Sequence, residues 1–223
     1  MRPFTRSLVA VVLLACAPQV VPQKAVSTSS QFEPDIQKFE AADRAAPRRA
    51  GEVVFVGSSS IRMWQTLDAD FPGLAVLNRG FGGSELSDAI QFADRIVMPH
   101  KPRVVVLYAG DNDLDSGKTP ARVFQDFQSF VTLIHQRLPE TRIVFISIKP
   151  SLARVKIMDK AREANRLIRN YMHGDDKLAY VDVFTPMLDS SGQPRPELFL
   201  EDGLHMNARG YAIWRELIRP AIE

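Results

Sequence analysis

Four short segments of the 223-residue chain carry side chains that could do chemistry together. Gly57-Ser58-Ser59-Ser60-Ile61 offers hydroxyl nucleophiles. Asn78-Arg79-Gly80-Phe81-Gly82-Gly83-Ser84 offers backbone N–H groups in a glycine-rich stretch. Gly110-Asp111-Asn112-Asp113 adds a side-chain amide, and Asp202-Gly203-Leu204-His205 an acid–base pair. Acyl transfer needs a nucleophile, a base to take its proton and an acid to orient that base. It also needs donors for the charge that grows on the carbonyl oxygen. Alone, each segment has an ordinary explanation. Serine and glycine after a strand make turns and helix caps, and Asp-x-x-His recurs by chance. Their joint order along the chain is far more specific.

The elements that must position them are legible in the hydrophobic pattern. Continuous apolar runs at 53–56, 74–77, 104–107, 143–148 and 178–183 suit strands buried on both faces, as in a parallel sheet. Between them lie helical periodicities at 84–98, 120–138 and 159–172, with one at 207–218 closing the chain and one at 32–46 ahead of the first strand. Strands alternating with helices predict one doubly wound α/β domain over residues 32–223, with no internal repeat. In such sheets the ligand crevice lies at the carboxyl ends of the strands. Three of the four segments directly follow a predicted strand there.

On these segments the chain resembles the SGNH (GDSL-type) hydrolase family, from about Glu52 to Trp214. Gly57-Ser58-Ser59 matches the family's Gly-Asp-Ser block, with Ser58 in the aspartate position. Gly83 falls on the oxyanion glycine, Gly110-x-Asn112-Asp113 on the Gly-x-Asn-Asp block, and Asp202-x-x-His205 on the last block. The resemblance implies a flavodoxin-like three-layer α/β/α sandwich with a five-stranded parallel sheet. It implies a serine esterase with Ser59 as nucleophile, His205 as base and Asp202 as its orienting acid. The amides of Ser59 and Gly83 and the Asn112 side chain would form the oxyanion hole, with no metal and no cofactor. Among the three serines, Ser60 should fall inside the first helical turn and cap its own backbone. Ser59 should sit at a helix N-terminus whose dipole favours negative charge. Asp202 and His205, near a helix start, should lie side by side.

Other residues have plainer readings. His100 precedes the third strand in a loop, and His135 and His173 lie near helix ends. Arg62, Arg79 and Lys149 read as surface or loop cations, with Arg79 close to the oxyanion loop. Phe81, Tyr108 and Leu204 flank the site and suit pocket lining or core packing equally. Two other function classes compete. A non-catalytic ligand-binding protein of the same fold would not need all five site residues. A flavin- or nucleotide-binding protein would need a phosphate cradle, and the loop after the first strand has no G-x-x-x-x-G-K-[ST]. The substrate is then an ester, either an acylated carbohydrate or envelope glycan, or a lysolipid or thioester, with a lean towards a short acyl group.

Composition is that of a globular protein, 45% hydrophobic and 24% charged. The net charge is +2, and Arg2 and Arg6 supply two of the positive charges. No basic stripe interleaved with aromatics favours nucleic acid. Arg2 and Arg6 precede a short apolar run, Leu8–Ala15, too short to span a bilayer as a helix, and then Cys16. Residues 1–16 read as an export segment in which Leu13-Leu14-Ala15-Cys16 resembles a bacterial lipobox with Cys16 as the lipid attachment site. A plain cleaved signal is the alternative. Residues 17–31 read as a flexible tether. These readings predict an exported protein, either an envelope lipoprotein or secreted. Cys16 is the sole cysteine, so no intrachain disulfide supports the fold.

Overall fold

The computed structural model describes residues 31–47 and 49–223. The export segment, Cys16 and nearly all of the tether lie outside the described residues. Five strands, β1 (Val53–Gly57), β2 (Val76–Gly80), β3 (Val104–Tyr108), β4 (Arg142–Ile146) and β5 (Leu178–Val181), form one parallel sheet in the order β2-β1-β3-β4-β5. The predicted three-layer sandwich and its five-stranded parallel sheet are therefore both present. This strand order is the doubly wound one in which connections run outward in both directions from β1 and β3. The crevice at that switch point, between the ends of β1 and β3, is where the order alone places a ligand.

Alternation along the strands builds the layers. Val54, Val56, Val105, Leu107, Ile143 and Phe145 point into one core, shared with α1 (Glu33–Ala45), α4 (Leu86–Ile96), α6 (Pro120–Arg137) and α7 (Met158–Met172). Val53, Phe55, Val104, Val106, Val144 and Ile146 point into the other, beneath α8 (Ala208–Ile222) and two single-turn helices, α2 (Ser59–Arg62) and α3 (Leu67–Asp70). Covered on both faces, the strands need no polar alternation, which is why they read as unbroken apolar runs. The second core is aromatic-rich. Trp214 lies 4.8 Å from Tyr108 and 6.0 Å from Trp64, centroid to centroid. Tyr108 and Phe81 are thus both core residues, Phe81 packing edge-on against Phe32 and Phe92.

Several boundaries differ from the sequence reading, each for a physical reason. β2 runs over 76–80 rather than 74–77, so Asn78 and Arg79 belong to the strand. β2 is an edge strand, and its polar residues find partners. Arg79 is buried against Asp43 and His100, with its guanidinium over the Phe39 ring, so it is not a surface cation. β4 ends at Ile146 and β5 at Val181, where side chains take over from the ladder. The Ser147 hydroxyl accepts from the N–H groups of Val183 and Phe184, and the Asn165 amide bonds both the N–H and the C=O of Ile148. The chain is thereby released from the sheet on its catalytic edge.

Candidate active site

Ser59 leaves β1 at the first position of α2. Gly57 makes this turn possible. Its φ is +144°, and a Cβ there would lie 1.8 Å from the Tyr108 carbonyl oxygen, so β1 and β3 can close on each other only over a glycine. The turn is braced from two sides. The Tyr211 hydroxyl donates to the Ser60 carbonyl at 2.9 Å, and the Asn78 amide donates to the Ile61 carbonyl at 2.7 Å. Ser58 and Ser60 are buried while Ser59 is half-buried and faces the crevice. Ser60 lies within the first helical turn as expected, while Ser58 at the N-cap makes no side-chain cap bond and its buried hydroxyl has no partner among the described residues. α2 is a single turn, too short for a macrodipole, so any electrostatic help comes from individual N–H groups.

Asp202 and His205 do lie side by side, but on a tight turn ahead of α8 rather than in a helix. The Asp202 carboxylate accepts the backbone N–H groups of Leu204 and His205, both at 2.9 Å, and the Nδ1–H of His205 at 2.6 Å. Desolvation pushes this carboxyl up, but the ring and backbone donors outweigh it and hold it down at about 2. An ionised carboxylate can only accept, so Nδ1 carries the proton of the neutral imidazole and Nε2 is left as the acceptor. Ser59 Oγ lies 3.0 Å from that Nε2 and donates to it. The two contacts join residues 146 positions apart into one chain of hydrogen bonds, carboxylate to imidazole to hydroxyl.

The remaining candidates are Gly83, Asn112 and the backbone N–H of Ser59. Gly83, at φ +84° and exposed, has nothing within 4 Å of where a Cβ would stand. Among the described residues, the N–H groups of Ser59 and Gly83 donate to no protein acceptor. The Asn112 Nδ2 donates one hydrogen to the Ser84 carbonyl at 2.9 Å and has a second to offer. The start of α2 (Ser59), a loop (Gly83), the short helix α5 (Asp111–Asp115, with Asn112) and the turn ahead of α8 (Asp202, His205) thus bring the five candidates to the carboxyl edge of the sheet.

The GDSL-like Lipase/Acylhydrolase family model matches residues 50–213. The chain belongs to that family. As a GDSL-like acylhydrolase it is an ester-hydrolysing enzyme. It is 27% identical over 169 residues to the human platelet-activating factor acetylhydrolase IB subunit alpha1, covering 72% of this chain and 70% of that protein. Its fold is shared by a GDSL-like lipase from Bacteroides thetaiotaomicron (TM-score 0.72, 22% identity, 84% of this chain and 97% of that one). It is shared as well by an acetylxylan esterase from Geobacillus stearothermophilus (TM-score 0.63, 15% identity, 78% and 95%).

Sequence reasoning missed the charged groups around Asn112 and the 82–86 loop of this GDSL-like hydrolase. Asp113, fully buried, accepts the first N–H of α4 with both carboxylate oxygens at 3.2 Å and so holds the 82–86 loop. Lys118 gathers Asp113 at 2.7 Å, Glu85 at 3.0 Å and Asp126 at 3.1 Å around one ammonium. Burial pushes the Asp113 carboxyl up to about 6 even with Lys118 beside it. Arg154, after β4, reaches Asp111 and the Asn112 side-chain oxygen, both at 3.0 Å. Lys149 is no surface cation either. It is buried 3.9 Å from Asp111, under the ring of Phe199, and burial lowers its pKa. Asp113 was visible as part of a motif, but nothing in the spacing couples positions 118 or 154 to it. Of the remaining candidates, Arg62 is exposed and Leu204 half-buried. His100 pairs with Asp43 and the His135 ring bonds the Thr141 carbonyl, so neither joins the site. No group of three metal-ligating side chains occurs among the described residues.

Proposed function

We propose that this chain is a serine esterase in which Ser59 is the nucleophile, His205 the general base and Asp202 its orienting acid. The observation that carries the reading is the unbroken hydrogen-bond chain from Asp202 through His205 to Ser59, at 2.6 and 3.0 Å. A serine hydroxyl attacks an acyl carbon only if its proton leaves as the bond forms, and Nε2 is within reach to take it. The carbonyl oxygen then becomes an oxyanion. The amides of Ser59 and Gly83 and the second hydrogen of Asn112 Nδ2, uncommitted among the described residues, are the donors assigned to that charge. Protonated His205 returns the proton to the departing alkoxide, leaving an acyl-Ser59. Water, deprotonated by the same imidazole, releases the carboxylic acid and restores the enzyme. Each donor is worth roughly 3 kcal/mol of transition-state stabilisation.

Within esters, the substrate is a short-acyl ester of an amphiphilic alcohol. Similarity to a platelet-activating factor acetylhydrolase subunit and to an acetylxylan esterase supports a short acyl group. The surface around His205 supports an apolar part in the alcohol. Leu152, Val155 and Leu200 are among the few large apolar side chains left exposed. They line the paired loops 150–157 and 199–205, which are joined by a hydrogen bond from Ala153 N to the Gly203 carbonyl. Export and anchoring through a lipidated Cys16 belong to the same proposal and rest on Arg2, Arg6 and the Leu8–Ala15 run.

Hydrolysis of p-nitrophenyl esters from acetate to decanoate, beside acetylated xylan and an acetylated lysolipid, tests the substrate. Acetate should lead the ester series and the lipid should exceed the glycan. A maximum at decanoate would overturn the short-acyl assignment. Partition of the Cys16→Ser variant into detergent, unchanged from wild type, would overturn the anchor.

A further inference from the structure

We propose that Arg154 is a positioning residue for the oxyanion hole: it fixes which way the Asn112 side-chain amide points and so delivers its free N–H to the reacting oxygen. The inference rests on Asn112 being an oxyanion donor, as proposed above.

An asparagine amide can sit in two orientations related by a half-turn, which exchange its oxygen and nitrogen. Only one of them aims a donor usefully. At Asn112 two neighbours choose between them. Arg154 Nη1, which can only donate, lies 3.0 Å from Oδ1. The Ser84 carbonyl, which can only accept, lies 2.9 Å from Nδ2. A half-turn would set donor against donor at Arg154 and acceptor against acceptor at Ser84, so both contacts enforce the same orientation. The guanidinium bond is charge-assisted and the stronger of the two. It also draws electron density towards Oδ1, which makes the remaining N–H a better donor. With one Nδ2 hydrogen committed to Ser84, a single hydrogen remains for the substrate oxygen.

Arg154 is itself held. The same Nη1 bonds Asp111 at 3.0 Å, Nη2 bonds Asp115 at 3.1 Å, and the side chain is 15% exposed. The Asp111 carboxylate in turn accepts the Asn112 backbone N–H at 3.1 Å. One guanidinium thus grips two consecutive residues of α5, the short helix after β3, from the segment after β4. A lysine has one nitrogen and cannot reproduce a planar fork that spans these groups.

The test is a double-mutant cycle on acetate ester hydrolysis with full-length enzyme, reading kcat and KM separately. Arg154→Met should lower kcat about tenfold with KM within twofold, because a small misplacement of a donor is felt chiefly in the transition state. In the Asn112→Ala background the same substitution should cost nothing further, since Arg154 would have no amide left to orient. Arg154→Lys, which keeps the positive charge beside Asp111, should still lose kcat, and it stands in for Arg154→Met if that variant does not fold. Independent, multiplying effects of the two substitutions would overturn the inference, as would full kcat in both Arg154 variants. If Asn112→Ala itself keeps full kcat, the oxyanion reading of Asn112 falls first, and that result is recognisable without any Arg154 variant.

Discussion

The two sides of the crevice are built on different plans. On the side of the proposed relay, one hydrogen bond joins Ser59 to His205, Asp202 accepts the His205 ring and two backbone N–H groups, and the Asp202 side chain is 46% exposed. On the side of the proposed oxyanion hole, Asn112 and the 82–86 loop are cross-linked by ion pairs between buried carboxylates and half-buried cations: Asp111 with Arg154 on one flank, Asp113 with Lys118 on the other. The difference follows from what each side must do. A proton relay must change its bonding at every turnover, and among the described residues the Ser59 hydroxyl is held by one hydrogen bond. An oxyanion hole works by being already in place, so reorganisation there is a direct loss. Substitutions should therefore divide cleanly, with relay variants losing rate while keeping the fold and oxyanion-side variants losing stability as well.

The largest expected effect is at Ser59. Ser59→Ala should cut kcat by roughly 10⁴-fold or more and abolish labelling by a fluorophosphonate, with the melting temperature nearly unchanged. Peptide mapping of the wild-type adduct checks the position, and an adduct on Ser58 or Ser60 would move the nucleophile. Next comes Asp202→Asn, which keeps the turn but offers the imidazole an amide. A loss of roughly 10²- to 10⁴-fold in kcat is expected, with stability preserved. The Asp202 carboxyl is held down at about 2, so its contribution is complete above its ordinary carboxylate range and fades only as pH falls through about 2. The wild-type pH–rate profile should consequently show no limb from Asp202 above about pH 4, and an acid limb that vanishes in Asp202→Asn but persists in His205 variants would contradict this.

The third prediction probes the other side. Lys118→Met strips the counter-charge from fully buried Asp113 and should destabilise the protein by about 3–5 kcal/mol near neutral pH, measured by urea unfolding. Because burial already raises the Asp113 carboxyl to about 6, this group's ionised form works against folding once pH exceeds its unfolded value. Lys118 is what lowers the Asp113 pKa, so in the variant the carboxyl takes up its proton above about 6 and the deficit should shrink as pH falls from 8 towards 6. An equal deficit at pH 5 and pH 8 would remove the charge-pair explanation. The smallest effect is expected at Ser58, whose buried hydroxyl has no partner. Ser58→Ala should keep turnover and be neutral or stabilising by about 1 kcal/mol, since it deletes an unsatisfied polar atom. A large rate loss there would show that the relay extends beyond three residues.

The strands, their parallel pairing class and the edge of the sheet that carries the site were readable from the chain alone. A parallel strand buried on both faces must be apolar throughout, and the loops that follow such runs stand out by contrast. The same contrast singled out three of the four site segments, and the resemblance to SGNH hydrolases picked Ser59, Gly83, Asn112, Asp202 and His205 within the four. Where polar residues lie within the sheet, as with Asn78 and Arg79 in β2, the contrast fails and the boundary shifts. Tertiary structure alone decided which charges are buried. Arg79 and Lys149 look like surface cations one at a time. They are withdrawn from water only because partners distant in the chain, Asp43 and Asp111, arrive at the same place. A hydrophobic run announces its burial locally. A buried charge is tolerable only in the company of its partner, and that company exists only once the chain has folded.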